Sequence, residues 1–303
     1  MKVEVSCLFR TDYHPKEVVR AHIGDNVWIE KIADGEWLKD VLEKQPRLAP
    51  KQEMGWRPFT HRFFVTVPGV NDEKDRRVKD AQELICQAIV LSRIVRPIPI
   101  AMKDAWVWTF HPEGQDAYHK IYVCAGFYGE AYVTHTGEAH RIEENDASEM
   151  TQLWARFHQF FVNEPQHRRI VRALKYFDAA YHISNAEQRH LIFHAALESM
   201  ICTRERRKNW AEVTKRLPRF STTVSNTAAK DIYDLCCDIK HAAAPIYLSP
   251  NPNGEIDPDD AKRLTATKIL ENALRDIFKQ AILNPNFAEK LCDVERLKKE
   301  DPV

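Results

Sequence analysis

Ile232-Tyr233-Asp234-Leu235-Cys236-Cys237-Asp238-Ile239-Lys240-His241-Ala242-Ala243-Ala244-Pro245 decides how the second half of this chain is read. Ile232, Leu235 and Ile239 recur at helical spacing, so one stripe faces a core while Asp234, Asp238 and His241 lie toward another surface. Three alanines and Pro245 follow. The residue before a proline is pushed out of the helical region, so the helix is expected to end just after His241. A titratable imidazole then sits among the open carbonyls of the last turn.

Outward from this stretch, residues 146–283 carry helical patterns and no strand pattern. Asp146-Ala147-Ser148-Glu149 has capping-box spacing and is expected to open an aromatic helix through Leu153, Trp154, Phe157, Phe160 and Phe161. Asn185-Ala186-Glu187-Gln188 starts another helix, and Asp257-Pro258 places a cap and a proline at the first helical position of a third. Residues 242–256, rich in Pro, Asn and Ala, read as a loop, and Arg296 to Pro302 as a frayed tail.

The first half reads differently. Lys2 to Leu8 alternates polar and apolar residues, and Asn26-Val27-Trp28-Ile29 follows a Gly24-Asp25 turn signal. Arg62-Phe63-Phe64-Val65-Thr66-Val67, Trp106 to Phe110, Ile121 to Cys124 and Glu130 to Thr134 complete the expected strands. Gly35 to Glu43 reads as a helical turn and Pro46 to Pro58 as a loop. Asn71-Asp72 is expected to cap a helix whose stripe runs through Val78, Ala81, Leu84, Ile85, Ala88, Ile89 and Ser92 to the Arg96-Pro97 stop. The expected fold class is α+β, with a sheet-plus-helix domain over residues 1–145 followed by an all-α bundle over residues 146–290.

Composition bounds the function. The 303 residues carry 44 Lys and Arg against 44 Asp and Glu, so no global basic field announces a nucleic acid. Residues 151–303 hold 24 basic against 20 acidic side chains and residues 1–150 hold 20 against 24, so any RNA-binding surface must be local. Seven scattered cysteines fit a reducing cytoplasm. The longest apolar segment, Leu84 to Val95, is interrupted by Gln87, Ser92 and Arg93 and falls short of a bilayer span, so no membrane partner is expected. No Gly-rich phosphate loop or Ser-centred elbow appears in the first half. Its one chemistry-rich cluster, Trp56 to Arg62, reads as a strand entry with polar tips.

The order Tyr233-Asp234-Leu235, then Ile239, one residue, His241 and a small residue resembles the motif helix of the HEPN superfamily in its Apea-like branch. Arg172-Ala173-Leu174-Lys175-Tyr176-Phe177 and Phe193-His194-Ala195-Ala196-Leu197-Glu198-Ser199 are similar to the first and second helices of that branch. The resemblance spans about residues 165–283. It implies a homodimer whose motif helices face across a cleft and cut RNA without metal or cofactor. In that chemistry a His assists the ribose 2′-hydroxyl in attacking the adjacent phosphate while an Arg stabilises the charge growing there. Here His241 matches the His, and Cys236 stands where the resemblance implies the Arg. A thiol supplies neither the permanent charge nor the forked donors of a guanidinium.

The expected site therefore comprises His241, Cys236, Lys240 and Glu198, with Lys240, Arg189 or Arg204 as a substitute cation. Arg204, Arg206, Arg207, Lys208, Lys215, Arg216 and Arg219, with Trp210 among them, form the densest basic region and the expected RNA-binding surface, although a solvated helix face would carry the same residues. Two functions stay open. One is an RNA-directed protein of a toxin or defence system with a degenerate endoribonuclease motif; the other is a non-catalytic homodimeric interaction or sensor protein whose N-terminal domain recognises a ligand or protein partner. A shifted Arg189-to-His194 repeat has the family spacing but lies on a different helix. His190, His194 and Glu198 fall four apart on one helical face, yet lack a further ligand group, so no metal is expected. Cys236 and Cys237 read as small buried thiols rather than nucleophiles, because a helix C-terminus raises a thiol's pKa.

Overall fold

The computed structural model describes residues 2–9, 16–32, 36–44, 59–70, 74–98, 106–112, 120–124, 141–183, 185–203, 209–241 and 258–303. They divide into two compact units, the first holding the described residues up to Ala155 and the second running from Arg156 to Val303. The chain is α+β, with an N-terminal antiparallel sheet and a C-terminal helical region.

Among the described residues, six strands build the first unit: β1 (Lys2–Phe9), β2 (Arg20–Gly24), β3 (Val27–Lys31), β4 (His61–Pro68), β5 (Trp106–His111) and β6 (Lys120–Cys124). They form one antiparallel sheet in the order β2-β3-β4-β1-β5-β6. β1 is central because its side chains are buried on both faces, with Val3, Val5, Cys7 and Leu8 fully enclosed. Its register sets Val5 opposite Val65 on β4 and opposite Trp108 on β5. Helix α1 (Glu36–Lys44) brings Val41 onto Leu8, Val107 and Ile121, and helix α2 (Arg76–Val95) packs on β1 and β4. The cap of α2 is Asp75 rather than Asn71 or Asp72, and its carboxylate accepts from the Arg77 N–H at 2.9 Å. β2 has no counterpart among the expected strands. It forms because the turn at Gly24–Asn26 folds the chain back on β3, with Asp25 and Asn26 at positive φ. A Cβ on Gly24 would lie 2.2 Å from the Trp154 ring, whose indole N–H donates to Asp25 at 2.7 Å, so only glycine fits there.

Helix α3 (Glu144–Val162) begins two residues before the expected cap. Asp146 lies inside its first turn, and the carboxylate reaches back to accept from the Glu143 N–H at 2.8 Å. The division between the units falls within this helix.

The second unit adds α4 (Glu164–Ala180), α5 (Ala186–Ile201), α6 (Asn209–Phe220), α7 (Asn226–Lys240), α8 (Pro258–Leu283), α9 (Pro285–Cys292) and α10 (Val294–Glu300). Phe177 anchors its core, with Tyr181, Phe193 and Phe278 ring centroids 5.4, 5.7 and 5.3 Å away. The Tyr181 hydroxyl donates to the fully buried Glu271 at 2.6 Å. Asn185 caps α5 as expected, its side chain accepting from the Gln188 N–H at 2.9 Å. The frayed tail expected at Arg296 to Pro302 is corrected. Asp293 caps α10, Leu297 is fully buried, and the Asp301 carbonyl accepts from Arg216 at 2.9 Å. The strand expected at Glu130 to Thr134 and the loops expected at 46–58 and 242–256 lie outside the described residues. No helix among the described residues is long and apolar enough to cross a membrane.

Candidate functional site

Helix α7 starts at Ser225, whose hydroxyl accepts from the Ala228 N–H at 3.1 Å, and ends at His241, whose N–H reaches the Cys237 carbonyl at 2.9 Å. Ala229, Ile232, Leu235 and Cys236 are its buried residues, and the helix packs against α5, α6 and α8. The seam with α5 gathers His190, His194 and Glu198 from one side and Tyr233, Cys236, Cys237 and Lys240 from the other.

His190 is fully buried and bonded at both ring nitrogens. A backbone carbonyl only accepts, so Nε2 donates to the Ile232 carbonyl at 3.1 Å, which leaves Nδ1 to accept from the Thr267 hydroxyl at 2.9 Å. Burial drives its pKa down to about 4, and the ring is neutral at neutral pH. It fastens α5 to α7 and α8. His194, one turn on, is equally buried, but neither ring nitrogen has a hydrogen-bond partner among the described residues. Its Nδ1 stands 3.6 Å from Glu198, beyond hydrogen-bond reach, and its ring meets Tyr233 edge-on at 5.6 Å. Burial, then the neighbouring His190 and Lys240, push its pKa down to about 3.

Cys236 is 1% exposed. Burial raises its thiol to about 11 against the opposing pull of Lys240, whose side chain hydrogen-bonds it, so it is protonated at neutral pH and is no nucleophile. Partial burial works against the Lys240 ammonium, but the Cys236 contact, with Glu198 and Cys237 nearby, holds its pKa above the ordinary value. Glu198 accepts from the Asn209 amide at 3.1 Å and faces both Cys236 and Lys240. Burial pushes the Tyr233 hydroxyl up to about 12, reinforced by Cys237 and Glu198.

His241 stands apart from this seam. It is exposed at the helix end, and five residues at 100° each set it about 140° around the axis from Cys236. On that other side of α7, Asp231, Asp234 and Asp238 line a cleft of about 330 Å³ opposite Lys262 and Arg263 of α8, with Lys262 3.8 Å from Asp231. Tyr233 and Asn209 are site residues that sequence reasoning missed. Tyr233 could have been found three residues before Cys236 on the same stripe; Asn209 carries no such signal.

The basic region is not one surface. Arg216 is 2% exposed on the inner side of α6, donating to the Ile201 carbonyl at 2.7 Å and to Glu212 at 2.8 Å, which corrects its expected role in holding RNA. Lys215 and Arg219 are exposed one turn apart, Arg219 lying 3.9 Å from Asp301, and Trp210 is 48% exposed on the same helix. Arg204, Arg206, Arg207 and Lys208 lie outside the described residues. Arg189, expected as a substitute cation, is buried and donates to the Ile183 carbonyl at 3.0 Å, bracing the connection between α4 and α5. Lys240 is thus the cation that the described residues bring beside Cys236. The chain matches no family model, no curated protein and no solved structure.

Proposed function

We propose that this chain is a HEPN-like protein of the Apea-like kind whose helical unit acts as a non-catalytic, homodimeric interaction module, with the N-terminal unit recognising a ligand or partner. The observation that carries this reading is the state of Cys236. Where the resemblance implies a guanidinium stands a neutral thiol, 1% exposed and packed toward α5, so no donor fork is presented to a phosphate. The other side of the same helix turns Asp231, Asp234 and Asp238 toward Lys262 and Arg263 of α8, so that cleft carries no excess of positive charge to hold an RNA backbone.

A second reading is favoured by one specific contact. Lys240 hydrogen-bonds the Cys236 side chain and is exposed, so its ammonium could stand in for the missing guanidinium in a weak, metal-independent endoribonuclease of a toxin or defence system, with His241 as base. A mixed RNA pool incubated in EDTA separates the two. The non-catalytic reading expects no cleavage; cleavage that is lost in Lys240→Met and in His241→Ala establishes the second. Light scattering of the 303-residue chain tests the dimer, and a monomer at micromolar concentration removes that part of the proposal.

A further inference from the structure

A hollow of about 620 Å³ opens within the helical unit between the end of α3, the start of α4, the end of α8, α9 and α10. Its floor is apolar, made by Phe160, Ala281, Ile282 and Ala288. Two large apolar side chains flank that floor along the chain and point the other way. Leu283 directly follows Ile282, Val162 stands two residues after Phe160, and both are 57% exposed. A single exposed apolar side chain is ordinary on a protein surface, whereas apolar knobs beside an apolar hollow mark a surface that another one covers.

The ionic side chains around the hollow balance, Arg156 and Arg296 against Glu289 and Asp293, so the rim selects neither a small anion nor a small cation. Two of the four are committed within the chain. Arg296 bonds Glu300 at 2.7 Å, and the Asp293 carboxylate accepts from the Glu295 and Arg296 N–H groups at 3.0 and 3.1 Å as the cap of α10. The other two keep capacity to spare. The one hydrogen-bond partner of Arg156 among the described residues is the Leu283 carbonyl at 2.8 Å, a neutral group. Glu289 is exposed, and its contact with Arg296, at 3.4 Å, is long for a charged pair.

A two-fold axis sets a patch against its own copy, so a patch of one sign repels itself and a patch holding both signs answers itself. We infer that this face is where a second copy of the chain docks, each copy seating Leu283 in the other's hollow and pairing Arg156 with the partner's Glu289. An apolar anchor in a hollow ringed by polar groups is the arrangement in which a few residues carry most of an interface's energy. The inference rests on the homodimer proposed above and names its face. That face is remote from the α7 cleft, because Leu283 stands about 30 Å along α8 from Arg263. The dimer then draws on nothing in the motif helix.

Sedimentation equilibrium of the 303-residue chain at micromolar concentrations reads the dimer constant. Leu283→Glu is expected to weaken it about tenfold or more, with the far-UV circular dichroism of the wild type retained because the side chain is exposed in the single chain. Arg156→Glu and Glu289→Arg each set like charges against one another across the axis, and each should weaken it about tenfold. Combined in one chain they recreate an opposite pair, and the constant should return to within about threefold of the wild type. Asp238→Lys, on the exposed side of α7, should leave it unchanged. A wild-type chain that stays monomeric overturns this inference and the homodimer together. A dimer that Leu283→Glu leaves intact, that the double exchange fails to restore, or that Asp238→Lys dissociates overturns this face alone and leaves the homodimer standing.

Discussion

Arg216 and His194 are both polar, both buried and both within the helical unit, and they differ in how far their surroundings answer them. Arg216 donates to the Ile201 carbonyl, the Asp301 carbonyl and Glu212, and Glu212 in turn accepts from the Thr203 N–H at 3.0 Å and from the Thr203 hydroxyl. His194 has no hydrogen bond at either nitrogen among the described residues. A complete partner set marks a group that holds the fold, here by pinning α10 and the end of α5 to α6. An incomplete set marks a position whose chemistry the fold does not need, and that position borders Cys236, Lys240 and Glu198.

The largest expected effect comes from breaking the complete set. Arg216→Ala leaves Glu212 buried without its counter-charge and frees the C-terminal helix, so urea unfolding should show a loss of about 3–5 kcal/mol. A loss under about 1 kcal/mol would mean that the clamp is ornamental.

Acid sharpens the contrast next. His190 and His194 have folded pKa values of about 4 and 3, below the ordinary histidine value near 6.5. Between those limits the unfolded chain binds protons that the folded chain refuses, so stability is unaffected above about pH 6.5 and falls as pH drops below it. From pH 7 to pH 5 each imidazole should cost about 2 kcal/mol, and His194→Leu should shrink the fall in the urea midpoint by that share. An unchanged fall in the variant would show that His194 is protonated in the folded state.

At neutral pH the two rings should part company. His190→Leu removes the bond to the Ile232 carbonyl and leaves the Thr267 hydroxyl only the Arg263 carbonyl at 3.1 Å, and it is expected to cost about 1–3 kcal/mol, whereas His194→Leu removes no hydrogen bond and should stay within about 1 kcal/mol of wild type. Equal costs would indicate a partner for His194 that its surroundings do not reveal.

Much of the fold is legible in the chain because periodicity reports which faces are buried. The α2 stripe from Val78 to Ser92, the cap at Asn185 and the end of α7 at His241 all follow from spacing and capping chemistry. Local patterns are less informative where a tertiary contact decides. β2 is five residues long and exists because Gly24 lets the chain turn beneath Trp154. The tail is helical because Asp293 caps it and Arg216 holds its end. Arg216 itself is misread as surface because a cation is assumed to be solvated. The inward stripe of Val213, Leu217 and Phe220, with Glu212 four residues before Arg216, was the available signal. In the site, the stripe of Tyr233, Cys236 and Lys240 follows from helical spacing, but that His241 lies off that stripe, and that His190 is saturated while His194 is not, depends on α5 and α8.

On the HEPN-like reading proposed for the helical unit, the buried thiol at position 236 keeps α7 silent. Losing one preorganised cationic donor at a transition state costs about 10²–10³ in rate, and Glu198, facing Cys236, offers the counter-charge that a restored guanidinium needs. Cleavage of a mixed RNA pool in EDTA should therefore be undetectable for the wild type, measurable for Cys236→Arg, and undetectable again for Cys236→Arg combined with His241→Ala. Robust wild-type cleavage that survives His241→Ala would contradict the account, and so would a folded Cys236→Arg protein that leaves the pool intact.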